Sequence, residues 1–174
     1  MKKVLHTPFS ETDIRDLHAG DTVVLSGTVY TGRDAAHKRL CAMLDKGEAL
    51  PVDLNGQAIY FVGPCPAPPG RPIGSAGPTT SGRMDAYSPK IIELCGLRAM
   101  IGKGDRNQAV KDAMQKFGCV YFAATGGAGA LIANSIVKAE VVAFEDLGPE
   151  AIYKLEFNEL PLVVAIDSHG KSLY

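Results

Sequence analysis

No apolar run in the 174-residue sequence approaches the roughly 18 residues that a membrane-crossing helix needs, so a membrane span is excluded. A basic excess is missing too. With a net charge of −1, the chain is a poor match for generic nucleic-acid or membrane-surface binding. The start, Met1-Lys2-Lys3-Val4-Leu5-His6, is basic but turns polar at Thr7 and Ser10 before a signal-peptide core develops. A cytoplasmic protein is expected. Cysteine is sparse: Cys41, Cys65, Cys95 and Cys119 are 24, 30 and 24 residues apart, with no CxxC pair and no ferredoxin-type run. Buried thiols acting as small hydrophobes are the default, with Cys65 between two prolines the least clear of the four. The glycine-rich segment Thr125-Gly126-Gly127-Ala128-Gly129-Ala130 is not GxGxxG and has no Walker lysine or suitably placed acid, so a nucleotide site is disfavoured.

What is present is 46% apolar residues and 21% charged ones, enough for one domain spanning 1–174 to bury its own core. The odd stretch is Pro64 to Pro78, where nine of 15 residues are Pro or Gly. Ordinary connections are far shorter, and loops of this length are usually functional or disordered. Hydroxyls and cations follow at once in Thr79-Thr80-Ser81-Gly82-Arg83, and Lys103 stands between Gly102 and Gly104. Around them Arg33, Lys38, Arg39, Arg71, Lys90, Arg98 and Arg106 outnumber the nearby acids, so a few converging cations would suit a small anion.

In chain order, Ser10 and Asp13 have capping-box spacing for a short helix to His18, and Thr22–Tyr30 is a β-branched strand with a bulge expected at Gly27. Thr31 and Asp34 repeat that spacing, predicting a helix to Lys46 closed by Gly47, with Arg33 in its first turn. Free amides and the helix dipole favour an anion there, so Arg33 either serves an anionic ligand or is a solvated surface charge. His37, Leu40, Cys41 and Leu44 share one helix face, and His37 is either a packed, hydrogen-bonded histidine or a chemical one. Residues 58–63 read as a strand, Arg71 as a ligand clamp or a solvated charge, and Thr79 and Thr80 as helix caps. Ser88-Pro89 starts a helix that Gly96 ends. Strand 98–101, helix 107–117 and strand 119–123 form a β-α-β unit, which places Lys103 just beyond the carboxyl end of a strand. Strands at 136–144, 151–155 and 162–166 complete the chain, separated at Gly148-Pro149 and by Asn158–Pro161.

The strings GTVYTGRDAAHKR, FVGPCPAPPGRPIGSAGPTTSGRMDAY and MIGKG, with GGAGAL after the next strand, together resemble the beta subunit of the iron-sulfur hydro-lyases, the class I fumarase and L-tartrate dehydratase family. The resemblance spans essentially the whole chain. It implies an α/β, swivelling β/β/α domain with mixed sheets, flanking helices and at least one parallel β-α-β unit. It also implies half an enzyme. A separate alpha subunit supplies a [4Fe-4S] cluster, whose open iron acts as a Lewis acid, and this chain binds no cofactor of its own. Assembly as a heterotetramer with that subunit, or as a homo-oligomer in isolation, is expected. The reaction implied is reversible hydration of fumarate to (S)-malate, with L-tartrate dehydration as the alternative and a stand-alone dicarboxylate-binding module as a third reading. By the same resemblance Arg33, Arg83 and Lys103 hold substrate carboxylates, with Thr80 and His37 beside them, and Thr79 stands at the position of the family's proposed catalytic base. No metal ligand, nucleic acid or membrane is implied.

Overall fold

The computed structural model describes residues 2–64, 67, 69–74, 76–124 and 132–174. Cys65 and the Thr125–Leu131 glycine segment, including GGAGAL, lie outside the described residues. In order the elements are β1 (Lys2–His6), α1 (Glu11–Arg15), β2 (Thr22–Thr31), α2 (Asp34–Asp45), β3 (Ala58–Tyr60), a 3-10 turn at Ser81–Met84, α3 (Ser88–Cys95) and β4 (Ala99–Gly102). They continue with α4 (Gln108–Phe117), β5 (Val120–Ala124), β6 (Ile136–Ala143), a second 3-10 turn at Glu145–Glu150 and β7 (Ile152–Ile166).

The centre is built from strands without a polar face. Ala58, Tyr60, Ala99, Ile101, Val120 and Phe122 point into one buried cluster, while Ile59, Phe61, Met100 and Tyr121 point into another beneath α2, α3 and α4. Burial on both faces is what parallel strands covered by helices require. Strands β2 to β5 run parallel in sequence order, with Tyr30 opposite Ile59, Ala58 opposite Ala99, and Ala99 opposite Val120. β7 then lies antiparallel to both β5 and β2, which closes the five strands into a barrel. β1 adds to the amino half of β2 and β6 to the first half of β7. This mixed barrel with flanking helices is the α/β, swivelling β/β/α arrangement, and β4-α4-β5 is its parallel β-α-β unit.

Local signals are met where the chain satisfies itself. The Ser10 hydroxyl accepts from the Asp13 amide at 3.0 Å and Asp13 returns the contact at 2.9 Å, a complete capping box. Gly96 and Gly118 close α3 and α4 in the left-handed conformation. Four expectations change. β1, an edge strand with Val4 79% exposed, carries too little alternation to be read in advance. Thr31 does not cap α2: it ends β2, and its hydroxyl accepts from the Tyr153 amide at 3.0 Å. The strand expected over 58–63 pairs only across 58–60, because the chain beyond it diverges from β4. The break expected at Asn158–Pro161 is a bulge inside the continuous strand β7. There, the Asn158 amide donates to the Ser135 carbonyl and the Glu159 amide to the Ser26 hydroxyl, while the β2 register shifts between Leu25 and Gly27.

Among the described residues no helix is long and apolar enough to cross a membrane.

Candidate functional site

Parallel strands leave their carboxyl ends side by side, and where β3 and β4 diverge another piece of chain fills the gap. The Thr79 amide donates to the Phe61 carbonyl at 2.7 Å, and the Ser81 amide to the Lys103 carbonyl at 2.9 Å. Thr80 pairs with Lys103 in a parallel bridge. The segment following the Pro/Gly loop is thus a short rung wedged between two strand ends. It brings Thr79, Thr80 and Lys103 together at the crevice where ligands bind in α/β sheets.

The approach is close. A Cβ on Gly102 would fall 1.9 Å from the Ser81 Oγ and 2.9 Å from Phe61 Cδ2, so only glycine fits beside the rung. Thr79 is half-buried, and Thr80 and Lys103 are exposed. Among the described residues Lys103 makes no ion pair. Thr80 occupies the N-cap position of the 3-10 turn, but its side chain makes no capping bond, which leaves the hydroxyl to other partners.

Arg33 comes from the neighbouring strand end. The Gly32 amide donates to the Tyr60 carbonyl at 3.0 Å, extending the β2–β3 pairing to the edge of α2. Arg33 is the N-cap residue of α2, which starts two residues later than expected. Its side chain runs past Gly63, where a Cβ would lie 3.0 Å from both Cδ and an Nη atom. Its Nε is buried and has no hydrogen-bond partner among the described residues. Sealing one N–H of a guanidinium from water without a partner is unfavourable, so the atom is poised for an acceptor. The helix amides are not equally open, since Glu150 already accepts from the Ala35 amide at 3.3 Å.

Arg83, from the 3-10 turn, reaches the Asp34 carboxylate at the start of α2. Its Nε and an Nη contact the same oxygen, Oδ2, at 3.0 and 2.8 Å. Asp34 Oδ1 is buried with no partner among the described residues. Arg83 is half exposed, so its remaining N–H groups face outward. His37 lies one turn into α2, fully buried, its ring edge-to-face with Phe61 at 5.4 Å between centroids. A carbonyl can only accept, so the 2.8 Å contact to the Arg33 carbonyl puts a proton on His37 Nδ1. Burial pushes this imidazole down to about 4, outweighing the bond to Arg33, so His37 is neutral near pH 7. Its visible role is to hold the Arg33 backbone.

The other cations separate from this group. Arg106 is buried, Arg39 pairs with Asp146, Lys90 with Asp45, and the exposed Arg71 donates to Asn134 at 2.5 Å. Three residues escaped the sequence reading: Asp34 as the partner of Arg83, Ser81 as the inner face of the rung, and Glu150 at the α2 amides. Asp34 was visible only as a capping candidate, and nothing in the sequence pairs Glu150 with a helix over a hundred residues away.

Among the described residues no three His, Cys, Asp or Glu side chains are grouped to hold a metal. Cys41 and Cys119 are buried and Cys95 is half-buried. Burial pushes the Cys95 thiol up to about 11 and Cys119 up to about 12, so both are protonated near neutral pH. These residues do not fit an iron-sulfur cluster.

What the edge does offer is two arginines, a lysine and two hydroxyls, a set matched to carboxylates.

Comparison with known proteins gives the family. The family model described as "Fumarase C-terminus" matches residues 2–174. The putative L(+)-tartrate dehydratase subunit beta of Methanocaldococcus jannaschii is 42% identical over 170 residues, covering 95% of this chain and 87% of the relative. The L(+)-tartrate dehydratase subunit beta of Escherichia coli is 36% identical over 99% of this chain and 87% of its own length. The anaerobic class I fumarate hydratase of Escherichia coli is 40% identical over 86% of this chain, which spans only 28% of that longer protein. The chain therefore belongs to the fumarase C-terminus family, the hydro-lyase family that holds both tartrate dehydratase beta subunits and class I fumarases.

Proposed function

We propose that this chain is the beta subunit of a two-subunit hydro-lyase, that its substrate is L-tartrate, and that it supplies the carboxylate-binding half of a shared active site. The relatives it matches nearly end to end carry the name tartrate dehydratase subunit beta, and that name calls for an alpha partner. That match supports tartrate over fumarate, the substrate first expected from sequence resemblance. The observation that carries the site assignment is the unfilled capacity at the strand ends among the described residues: the buried Arg33 Nε without a partner and Lys103 without an ion pair, beside the Thr79 and Thr80 hydroxyls.

A dicarboxylate needs both charges neutralised and its carbon skeleton fixed. Arg33 and Lys103 take one carboxylate, and the outward N–H groups of Arg83, aimed by Asp34, take the other. Dehydration removes a hydroxyl with its electron pair from one carbon and a proton from the next, leaving an enol that becomes the keto acid. Negative charge spreads toward the carboxylate beside the deprotonated carbon, where the cations stabilise it. Thr79 is assigned as proton acceptor. A threonine hydroxyl is a weak base and needs the adjacent positive charge to act as one. In this assignment the [4Fe-4S] cluster belongs to the partner.

Fumarate hydration is the second reading, supported by the 40% identity to a class I fumarase. The deciding experiment reconstitutes the chain anaerobically with a cluster-bearing alpha subunit and assays L-tartrate and (S)-malate side by side. The chain alone is expected to be inactive, and the complex to prefer L-tartrate. A preference for malate would establish the second reading. Robust turnover by this chain alone would overturn both.

A further inference from the structure

Tyr121 lies in the middle of β5, fully buried, and it would be unremarkable core but for its hydroxyl. That oxygen is 2.7 Å from the Ser81 Oγ and 2.7 Å from the Gly104 carbonyl. A carbonyl cannot donate, so Tyr121 donates to Gly104, and the Ser81 hydroxyl donates to Tyr121. Burial raises the phenol further above its ordinary range, so the donor keeps its proton at any working pH. The two groups it touches belong to different segments. Ser81 ends the rung that carries Thr79 and Thr80, and Gly104 follows Lys103 in the turn after β4.

We propose that Tyr121 is a positioning residue whose hydroxyl clamps the Thr79–Ser81 rung to the Lys103–Gly104 turn from beneath, setting the distance between the site's hydroxyls and its lysine. The assignment of Thr79 and Lys103 to the site rests on the dehydratase reading; the clamp itself does not. Several features converge on it. Ser81 is completely buried and reaches no solvent. The side chain of residue 102 is reduced to hydrogen so that Ser81 Oγ can pass. The Arg106 guanidinium lies against the same Tyr121 ring, 5.2 Å from its centroid, and fixes it in place. Beyond the rung's own backbone bonds, the Tyr121 hydroxyl joins both segments to the barrel floor.

The test uses Tyr121→Phe, which keeps the ring and removes only the clamp. In the reconstituted complex kcat is expected to fall roughly tenfold to a hundredfold while KM changes by less than about threefold, because the carboxylate grip persists and alignment is lost. Ser81→Ala should produce a similar loss. The double variant should lose no more than Tyr121→Phe alone, since that variant already deletes the bond that Ser81→Ala removes. Unchanged kcat in Tyr121→Phe, or additive losses in the double variant, would overturn the clamp. If the wild-type complex turns over neither tartrate nor malate, the functional reading fails and the clamp is decided on the full chain alone. Amide exchange at Ser81, whose N–H bonds to Lys103, should then run about tenfold faster or more in Tyr121→Phe. Unaltered exchange there would overturn it.

Discussion

Arg83 and Asp85 are two residues apart in the chain, yet the arginine–aspartate pairs they belong to are in opposite conditions. Arg106 and Asp85 are closed on themselves: Nε meets Asp85 Oδ1 at 2.6 Å, one Nη meets the Ser88 hydroxyl at 2.6 Å, and the plane stacks between Phe61 and Tyr121. The second Asp85 oxygen accepts from the Asn107 amide at 2.9 Å. Arg83 and Asp34 are open. A single carboxylate oxygen takes both contacts, the other is buried and bare, and the arginine is half exposed. A buried pair is tolerable only when its remaining groups are satisfied, as those of the first pair are, whereas the part-exposed second pair leaves a carboxylate oxygen unmet among the described residues. Incomplete pairing at the strand ends, beside the partnerless Arg33 Nε, is where a ligand has something to complete.

The sharpest way to break the comparison is to remove one arginine from each pair. Arg106→Ala leaves Asp85 stranded and should destabilise the chain by about 3–5 kcal/mol in denaturant unfolding. Arg83→Ala should cost less than about 1 kcal/mol of stability because the pair is solvent-screened. In the reconstituted enzyme, however, it should lower kcat/KM about a thousandfold, near 4 kcal/mol of transition-state stabilisation. Similar effects from both variants on both measurements would erase the distinction.

His37 lies between the two pairs, since the Arg106 charge lowers its pKa while Asp34 raises it. Its folded pKa of about 4 is below the unfolded value of 6.5, so the unfolded chain binds more protons between those limits. The stability it confers is complete above pH 6.5 and lost as pH falls through about 4, up to about 3 kcal/mol. His37→Gln should flatten that part of the stability–pH curve, and a slope unchanged by the substitution would remove His37 as its source. A smaller loss of stability than that of Arg106→Ala is expected from Gly102→Ala, whose Cβ would meet Ser81 Oγ at 1.9 Å. Displacing the rung should cost about 1–3 kcal/mol. Unfolding curves superimposable on those of the unaltered chain would show that the rung can yield.

Much of the scaffold was legible because short-range physics controls it. The Ser10 capping box, the Pro89 helix start, the glycine stops at Gly96 and Gly118, and the β4-α4-β5 unit all depend on residues within a few positions of each other. The proposed site was suggested as a set of residue types, Arg33, Thr79, Thr80, Arg83 and Lys103, by an anion's need for cations and by the family resemblance of the motifs that carry them. Errors arose where a local pattern had a distant competitor. Thr31 has the spacing of a cap but answers to Tyr153, and the Asn158–Pro161 break is absorbed by pairing with β2.

Sequence by itself determined the family, the parallel β4-α4-β5 unit and the absence of a membrane-spanning run, since each follows from composition, periodicity or motif order. Tertiary structure alone decided which cations remain available. Arg83, Lys103 and Arg106 look alike along the chain, and only the closure of the barrel buries Arg106 against Phe61 and Tyr121 while leaving Lys103 at an open strand end. The reason is that charge is a property of a residue, whereas an unmet hydrogen bond is a property of everything folded around it.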